Sequence, residues 1–203
     1  MKKLVLFGIL VVGLLAGATG LTQAKEEALL PMAPMGDDGL YKQPWFGETF
    51  LDLREDLAEA AAEGKMLALL WEQKGCPYCK ETHKVNFRHA DMVDYLKENF
   101  LVLQLNMWGD REMTDFDGET LSEKEFAQKY GVLFTPTIQF FPADMAEIEG
   151  KKGMAAEAFR LPGYFRNFHL KAAFKFVKTG RYKNQNFQRY IMEQSAESGG
   201  LAE

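Results

Sequence analysis

The chain has 203 residues, 47% hydrophobic and 26% charged, with a formal net charge of −5. This size and apolar content make one well-buried domain the expectation. The acidic balance gives no support for nucleic-acid binding.

The first stretch, "MKKLVLFGILVVGLLAGATGLTQA", is set apart from the fold. Lys2 and Lys3 form a basic start, Leu4 to Ala18 an apolar run, and Thr22-Gln23-Ala24 a small-residue cleavage site. That is the layout of a secretory signal peptide over 1–24. An uncleaved anchor is the alternative, although the run is short for a spanning helix. No cysteine follows the run, which argues against lipoprotein processing.

Residues 25–47 hold Pro31, Pro34, Gly36, Gly39 and Pro44, which prevent a long regular element. They read as a linker or loosely packed arm. The domain proper is expected over 48–194, followed by a disordered tail at 195–203.

"FLDLREDLAEAAAE" reads as a helix with Leu53, Leu57, Ala60 and Ala61 on one face and Gly64 as its stop. "KMLALLW" is a short apolar run that suits a strand covered on both faces. "CKETHKVNFR" continues as a helix, and Asp91 is expected to cap the next one, "MVDYLKEN". "FLVLQLNM" is a second buried strand, and Asp117-Gly118 marks a turn. Ser122 and Glu125 form a capping box, with Gly131 as the C-terminal stop. "TPTIQFF" opens a third strand, and "MAEIEGKKGMAAEAFRLPGY" reads as a strand, a loop and a short strand. A last amphipathic helix carries Phe165, Phe168, Ala172 and Phe176 on one stripe, and "NFQRYIMEQ" follows as a short helix. Strands alternating with helices imply an α/β sandwich, with helices on both faces of the sheet.

Both cysteines lie in "EQKGCPYCKETH". A crosslink between Cys76 and Cys79 would close almost no loop, so it makes a poor staple. The Cys-x-x-Cys spacing beside a strand–helix pattern points to redox or metal chemistry. Cys76 at a helix start has free N–H groups and the positive dipole end beside it, which favours a thiolate. Pro77 suits the first helical position. Cys76 is then the attacking thiol, and Cys79, one turn inside, resolves the mixed disulfide. No separate cofactor is needed, because the Cys76–Cys79 pair carries the electrons. Tyr78 and Pro77 stand between the cysteines, placed to touch a substrate.

His83 lies four residues after Cys79 on the same helix face. It can pack beneath the site and tune it. Alternatively it joins Cys76 and Cys79 as a third ligand of a copper or zinc carrier, with no fourth ligand in view. His89 and His169 read as structural or surface residues.

Three segments, "WEQKGCPYCKETH", "DFDGETLSEKEFAQKYGVLFTPTIQFF" and "RLPGYFRNFHLKAAFKFVKTGRYKNQNFQRYI", together resemble a secreted thioredoxin-related protein of the SoxW-like group, over roughly residues 48 to 192. The resemblance implies a thioredoxin-like α/β sandwich, a central mixed sheet with an extra N-terminal arm and C-terminal helix. It implies Cys76 as nucleophile, Cys79 as resolving thiol, and Pro136 as a cis-proline whose loop, with Thr135, holds the partner's backbone. It further implies a periplasmic disulfide reductase, acting in sulfur oxidation or cytochrome maturation on a disulfide-containing protein and recharged by a thiol-transfer donor in the membrane. A glutaredoxin-like or disulfide-donating enzyme is the alternative within the same chemistry. The sequence departs from the pattern at one place. Many thioredoxins carry a buried acid six residues before the first cysteine, where this chain has Leu70. Glu72 is the nearest acid and the candidate for proton transfer.

Overall fold

The computed structural model describes residues 29–197. The signal peptide expected at 1–24 lies outside them, as do residues 198–203.

Apolar runs build the sheet at the centre. Strand β1 (Met66–Glu72) pairs in parallel with β2 (Phe100–Asn106), Leu70 opposite Gln104 and Glu72 opposite Asn106. A small hairpin of β3 (Glu112–Thr114) and β4 (Thr120–Ser122) turns at Asp117-Gly118 and stands apart. On the other side of β1, strand β5 (Thr137–Phe140) runs antiparallel, and β6 (Phe159–Pro162) pairs antiparallel with β5. The sheet order is β2-β1-β5-β6, a mixed sheet.

Alternation along β1 divides the interior in two. Met66, Ala68 and Leu70 point into one core, Leu67, Leu69 and Trp71 into the other. Helices α3 (Ala90–Asn99), α5 (Asn167–Lys178) and α6 (Phe187–Glu197) cover the first face, with Phe87 beside them. Helices α1 (Leu53–Ala62) and α4 (Glu123–Lys129) cover the second. Helix α2 (Pro77–Lys84) follows β1 and carries the cysteines. The α/β sandwich is therefore the architecture, as its sequence pattern requires.

Local chemistry sets several boundaries. Ser122 and Glu125 form the reciprocal capping box of α4, and Gly131 leaves that helix with a left-handed φ of 61°. Asp91 does not cap α3; His89 holds that position, and Asp91 sits in the first turn, bonded to Lys171. Residues 145–147 are a short 3-10 turn rather than a strand, because Asp144 Oδ1 accepts the Ala146 N–H at 2.9 Å and starts a turn. Phe168 is only partly buried; the inner face of α5 is Leu170, Ala172, Ala173, Phe174, Phe176 and Val177. Helix α6 continues to Glu197, so residues 195–197 are helical rather than part of a tail.

The reading of 25–47 as a linker or loose arm needs correction over 29–47. Met35 and Tyr41 form a β-bridge, Gly47 N–H donates to Val102 O at 2.9 Å, and Leu30 N–H donates to Arg88 O at 2.7 Å. Leu40 is buried, and Trp45 and Phe46 pack against the first core. The prolines and glycines prevent a regular element, but they leave the side chains free to pack.

On α1 the fourth inward position is not Ala61, which is exposed, but Asp56. Its Oδ2 is buried and has no hydrogen-bond partner. Burial pushes its pKa up to about 6; a hydrogen bond from Thr49 opposes the shift, and Asp52, Glu59 and Glu55 add to it. A carboxyl whose folded pKa lies above its unfolded value binds protons more tightly in the native state. Stability is then highest at acid pH and declines as pH rises from about 4 to about 6. Asp56→Asn should raise stability above pH 6 by on the order of 2 kcal/mol and flatten that decline. Urea titrations at pH 4 and pH 7.5 measure it; a variant less stable than the parent at pH 7.5 refutes the account.

Candidate active site

Strand β1 ends at Glu72, and a tight turn must reverse the chain into α2. Gly75 makes it with φ of 75°. A Cβ there would meet nothing within 4 Å, so the glycine is needed for its backbone conformation and not for space. Cys76 then sits at the N-cap of α2, and Pro77 opens the helix. The Cys79 N–H donates to Cys76 Sγ at 3.0 Å, so the sulfur does the work of a capping oxygen. The two cysteines are joined as a disulfide, both largely buried.

The loop before β5 faces them. Cys76 Sγ lies 3.5 Å from the Thr135 carbonyl oxygen, and the Thr135–Pro136 peptide is cis. Thr137 Oγ1 donates to Phe134 O at 2.8 Å and Gly163 N–H to Pro136 O at 2.7 Å, tying the loop to both sides. The sheet register does the rest, since β5 lies beside β1 with Thr137 opposite Trp71. Thr135 Oγ1 is buried without a partner.

Around this centre several large apolar side chains are exposed. Tyr78 is 60% exposed and stacks on Tyr164 at 6.3 Å. Leu133 and Phe134 stand out from the proline loop, and exposed Trp108 donates through its indole N–H to Gln73 Oε1 at 2.6 Å. Pro77 is exposed beside them.

Beneath the disulfide lies a polar cluster. Glu72 continues the row Met66, Ala68, Leu70 on β1; Gln104 continues Phe100 and Val102 on β2. The acid missing at Leu70 thus stands two residues on, on the same face of the strand and one step nearer the cysteines. Glu72 is 1% exposed and His83 0%. His83 Nε2 lies 3.0 and 3.1 Å from the two Glu72 carboxyl oxygens, and Gln104 Nε2 donates to Oε2. His83 Nδ1 meets Gln43 Nε2 at 3.1 Å. Tyr41, Phe46 and Phe87 surround the imidazole, with ring centroids 5.3, 6.0 and 5.3 Å away.

Both ring nitrogens of His83 are therefore engaged by Glu72 and Gln43, away from any role as a third ligand with the cysteines. Among the described residues, no group of three or more His, Cys, Asp or Glu is arranged to hold a metal ion. A cavity of about 330 Å³ joins the two levels of the site: Glu72, Cys76 and Cys79 all line it, together with Met35, Gly39, Leu40 and Tyr41.

Gln43, Trp45 and Tyr41 escape sequence reasoning because their segment has no period. Gln104 carried a signal, a lone amide inside a buried apolar strand, where a polar side chain must find a partner.

The chain matches the Thioredoxin-like domain family over residues 53–178. It belongs to that family. Among individual proteins, it is 31% identical over 101 residues to the thiol:disulfide interchange protein DsbD of Pseudoalteromonas atlantica, a match covering 50% of this chain and 15% of that protein. The chain thus spans less than a sixth of that relative's length. Its fold resembles a thioredoxin-fold protein from Helicobacter pylori, with a TM-score of 0.50 and 24% identity over 66% of this chain and 86% of that one. A thioredoxin from Thermus thermophilus gives 0.46 and 24%, over 62% and 83% respectively. Among the described residues, no helix is long and apolar enough to cross a membrane.

Proposed function

We propose that the protein is an exported thiol–disulfide oxidoreductase that works as a reductase of protein disulfides. The observation that carries this reading is the placement of Cys76: its sulfur caps α2, accepts the Cys79 N–H at 3.0 Å and lies 3.5 Å from the carbonyl beside Pro136. Membership of the Thioredoxin-like domain family supports it.

In the reduced protein the Cys76 thiolate attacks one sulfur of a substrate disulfide. The other substrate sulfur leaves with the electron pair and takes up a proton. Cys79 then gives its proton to an acceptor and attacks Cys76 Sγ. The second substrate sulfur departs as a thiolate, and the Cys76–Cys79 disulfide remains. Two electrons have passed from the dithiol to the substrate. The Thr135 backbone, beside the cis Pro136 and facing Cys76, would pair with an extended substrate backbone, a short form of strand addition. Tyr78, Phe134 and Trp108 would line its path.

The periplasm, a thiol-transfer donor in the membrane and service in sulfur oxidation or cytochrome maturation complete the reading. They rest on the signal-like start, the SoxW-like resemblance and the name of the DsbD relative.

Direction depends on the reduction potential. Strong oxidants of this fold often place a histidine between the cysteines; here Pro77 and Tyr78 carry no positive charge. The potential is expected near the roughly −270 mV of thioredoxin and far from the roughly −120 mV of a strong oxidant. Equilibration with glutathione buffers, followed by mass, measures it. A value near the oxidant end replaces reduction with disulfide donation.

A further inference from the structure

The cluster under the disulfide has a fixed proton arrangement, and the N-terminal arm sets it. Trp45 Nε1 can only donate, and its partner is Gln43 Oε1 at 3.2 Å. That contact orients the Gln43 amide, so its NH₂ faces His83 Nδ1 at 3.1 Å. An NH₂ group donates, so Nδ1 must accept and carries no proton. The ring proton is then on Nε2 and is donated to Glu72. The Glu72–His83 contact is accordingly a hydrogen bond from a neutral imidazole, not an ion pair.

The second amide is held in the same way. Lys42 Nζ donates to Gln104 Oε1 at 2.9 Å, so Gln104 Nε2 faces inward and donates to Tyr41 O at 2.8 Å and to Glu72. Each hydrogen bond of these groups to Glu72 is one the carboxylate accepts. Four of the residues that impose this pattern, Tyr41, Lys42, Gln43 and Trp45, come from the arm.

Building on the oxidoreductase reading, we infer that Gln43, oriented by Trp45, is a positioning residue for the resolving step: it holds His83 as the Nε2–H tautomer and so keeps Glu72 available for the proton that leaves Cys79. Glu72 and Cys79 line one cavity of about 330 Å³, roomy and polar enough for a bridging water. The arm lines the same cavity through Met35, Gly39, Leu40 and Tyr41. A reversed amide would present Gln43 Oε1 to His83, draw the ring proton to Nδ1 and leave Glu72 facing a bare nitrogen. The Cys79 proton would then be held between two acceptors, and its release would lose its pH dependence on the carboxylate alone.

Two measurements on the full chain test the inference. The first is ¹⁵N NMR of the histidine rings at neutral pH. His83 is expected as the neutral Nε2–H form in the parent, and to gain a proton on Nδ1 in Gln43→Glu, where a carboxylate acceptor replaces the donor. The second loads Cys76 with thionitrobenzoate as a mixed disulfide and follows release of the aryl thiolate as Cys79 attacks. Glu72→Gln is expected to slow release by about 10²-fold, the low end for a positioned proton acceptor. Gln43→Glu should slow it by roughly tenfold and alter its pH profile. Trp45→Phe, which removes only the orienting N–H, should give a mixture of tautomers and keeps the test open if Gln43→Glu fails to fold.

A parent His83 protonated on Nδ1 overturns the inference. So does a changed tautomer with an unchanged release profile. Absence of any thionitrobenzoate release from the parent would instead sink the oxidoreductase reading, so the two failures are distinguishable.

Discussion

Cys76→Ser is expected to lose disulfide reductase activity by on the order of 10³-fold or more, the scale on which an enzyme loses its nucleophile, with little loss of stability. Serine is among the preferred N-cap residues, and its hydroxyl can accept the Cys79 N–H that the sulfur accepts now. Helix α2 should therefore start as before, and the loss reports chemistry rather than unfolding. Cys79→Ser should behave differently. The first attack survives, resolution fails, and the protein accumulates as a mixed disulfide through Cys76. An insulin-reduction assay with intact-mass analysis of the trapped species separates the two variants. Brief alkylation of the reduced protein at mildly acidic pH should label Cys76 ahead of Cys79. Labelling of Cys79 first would reverse the roles.

What the sequence made legible follows from which forces act locally. The sheet strands announce themselves because both faces of β1 are buried, so "MLALLW" is apolar throughout. The capping box at Ser122 and Glu125 and the stop at Gly131 are backbone chemistry within a few residues, and both were readable. The same holds for Cys76 and Pro77 at the helix start. Asp91 reads as a cap in the sequence because a first-turn acid and a cap look alike until the φ and ψ of His89 are known. Asp56 occupies an inward position that the apolar pattern left unmarked, since its place on α1 is set by tertiary packing and not by affinity for the interior. Leu70 stands where a buried acid is expected. Period-two alternation restores it at Glu72, but only the pairing with β2 shows that Gln104 and His83 meet it there. The arm was the least legible part. Its contacts join residues some 40 to 60 positions apart, as between Gln43 and His83 or Lys42 and Gln104, and no local period encodes them.

That arm carries the second large expected effect. A chain starting at Glu48 should be far less stable than one starting at Lys25. Removing the arm uncovers the aromatic surface of Phe87 and the first core that Trp45 and Phe46 cover, and it takes away buried Leu40. Each large apolar side chain so lost is worth about 1.5–3 kcal/mol. It also strips His83 Nδ1 and Gln104 Oε1 of their partners at Gln43 and Lys42, and a buried polar group left unsatisfied costs about 1–3 kcal/mol. Water entering the opened side would repay part of the polar cost but none of the apolar one. A net loss of about 4 kcal/mol is a large share of the roughly 5–15 kcal/mol that holds a domain together. At about 2–4 °C per kcal/mol for a chain of this size, the melting temperature should fall by about 10 °C or more. Thermal unfolding followed by circular dichroism, with both chains oxidised, measures the difference. The Cys76–Cys79 disulfide closes too short a loop to mask it. A linker would leave the melting temperature unchanged, so two chains melting within about 2 °C of each other would return residues 29–47 to that role and remove the arm from the active site.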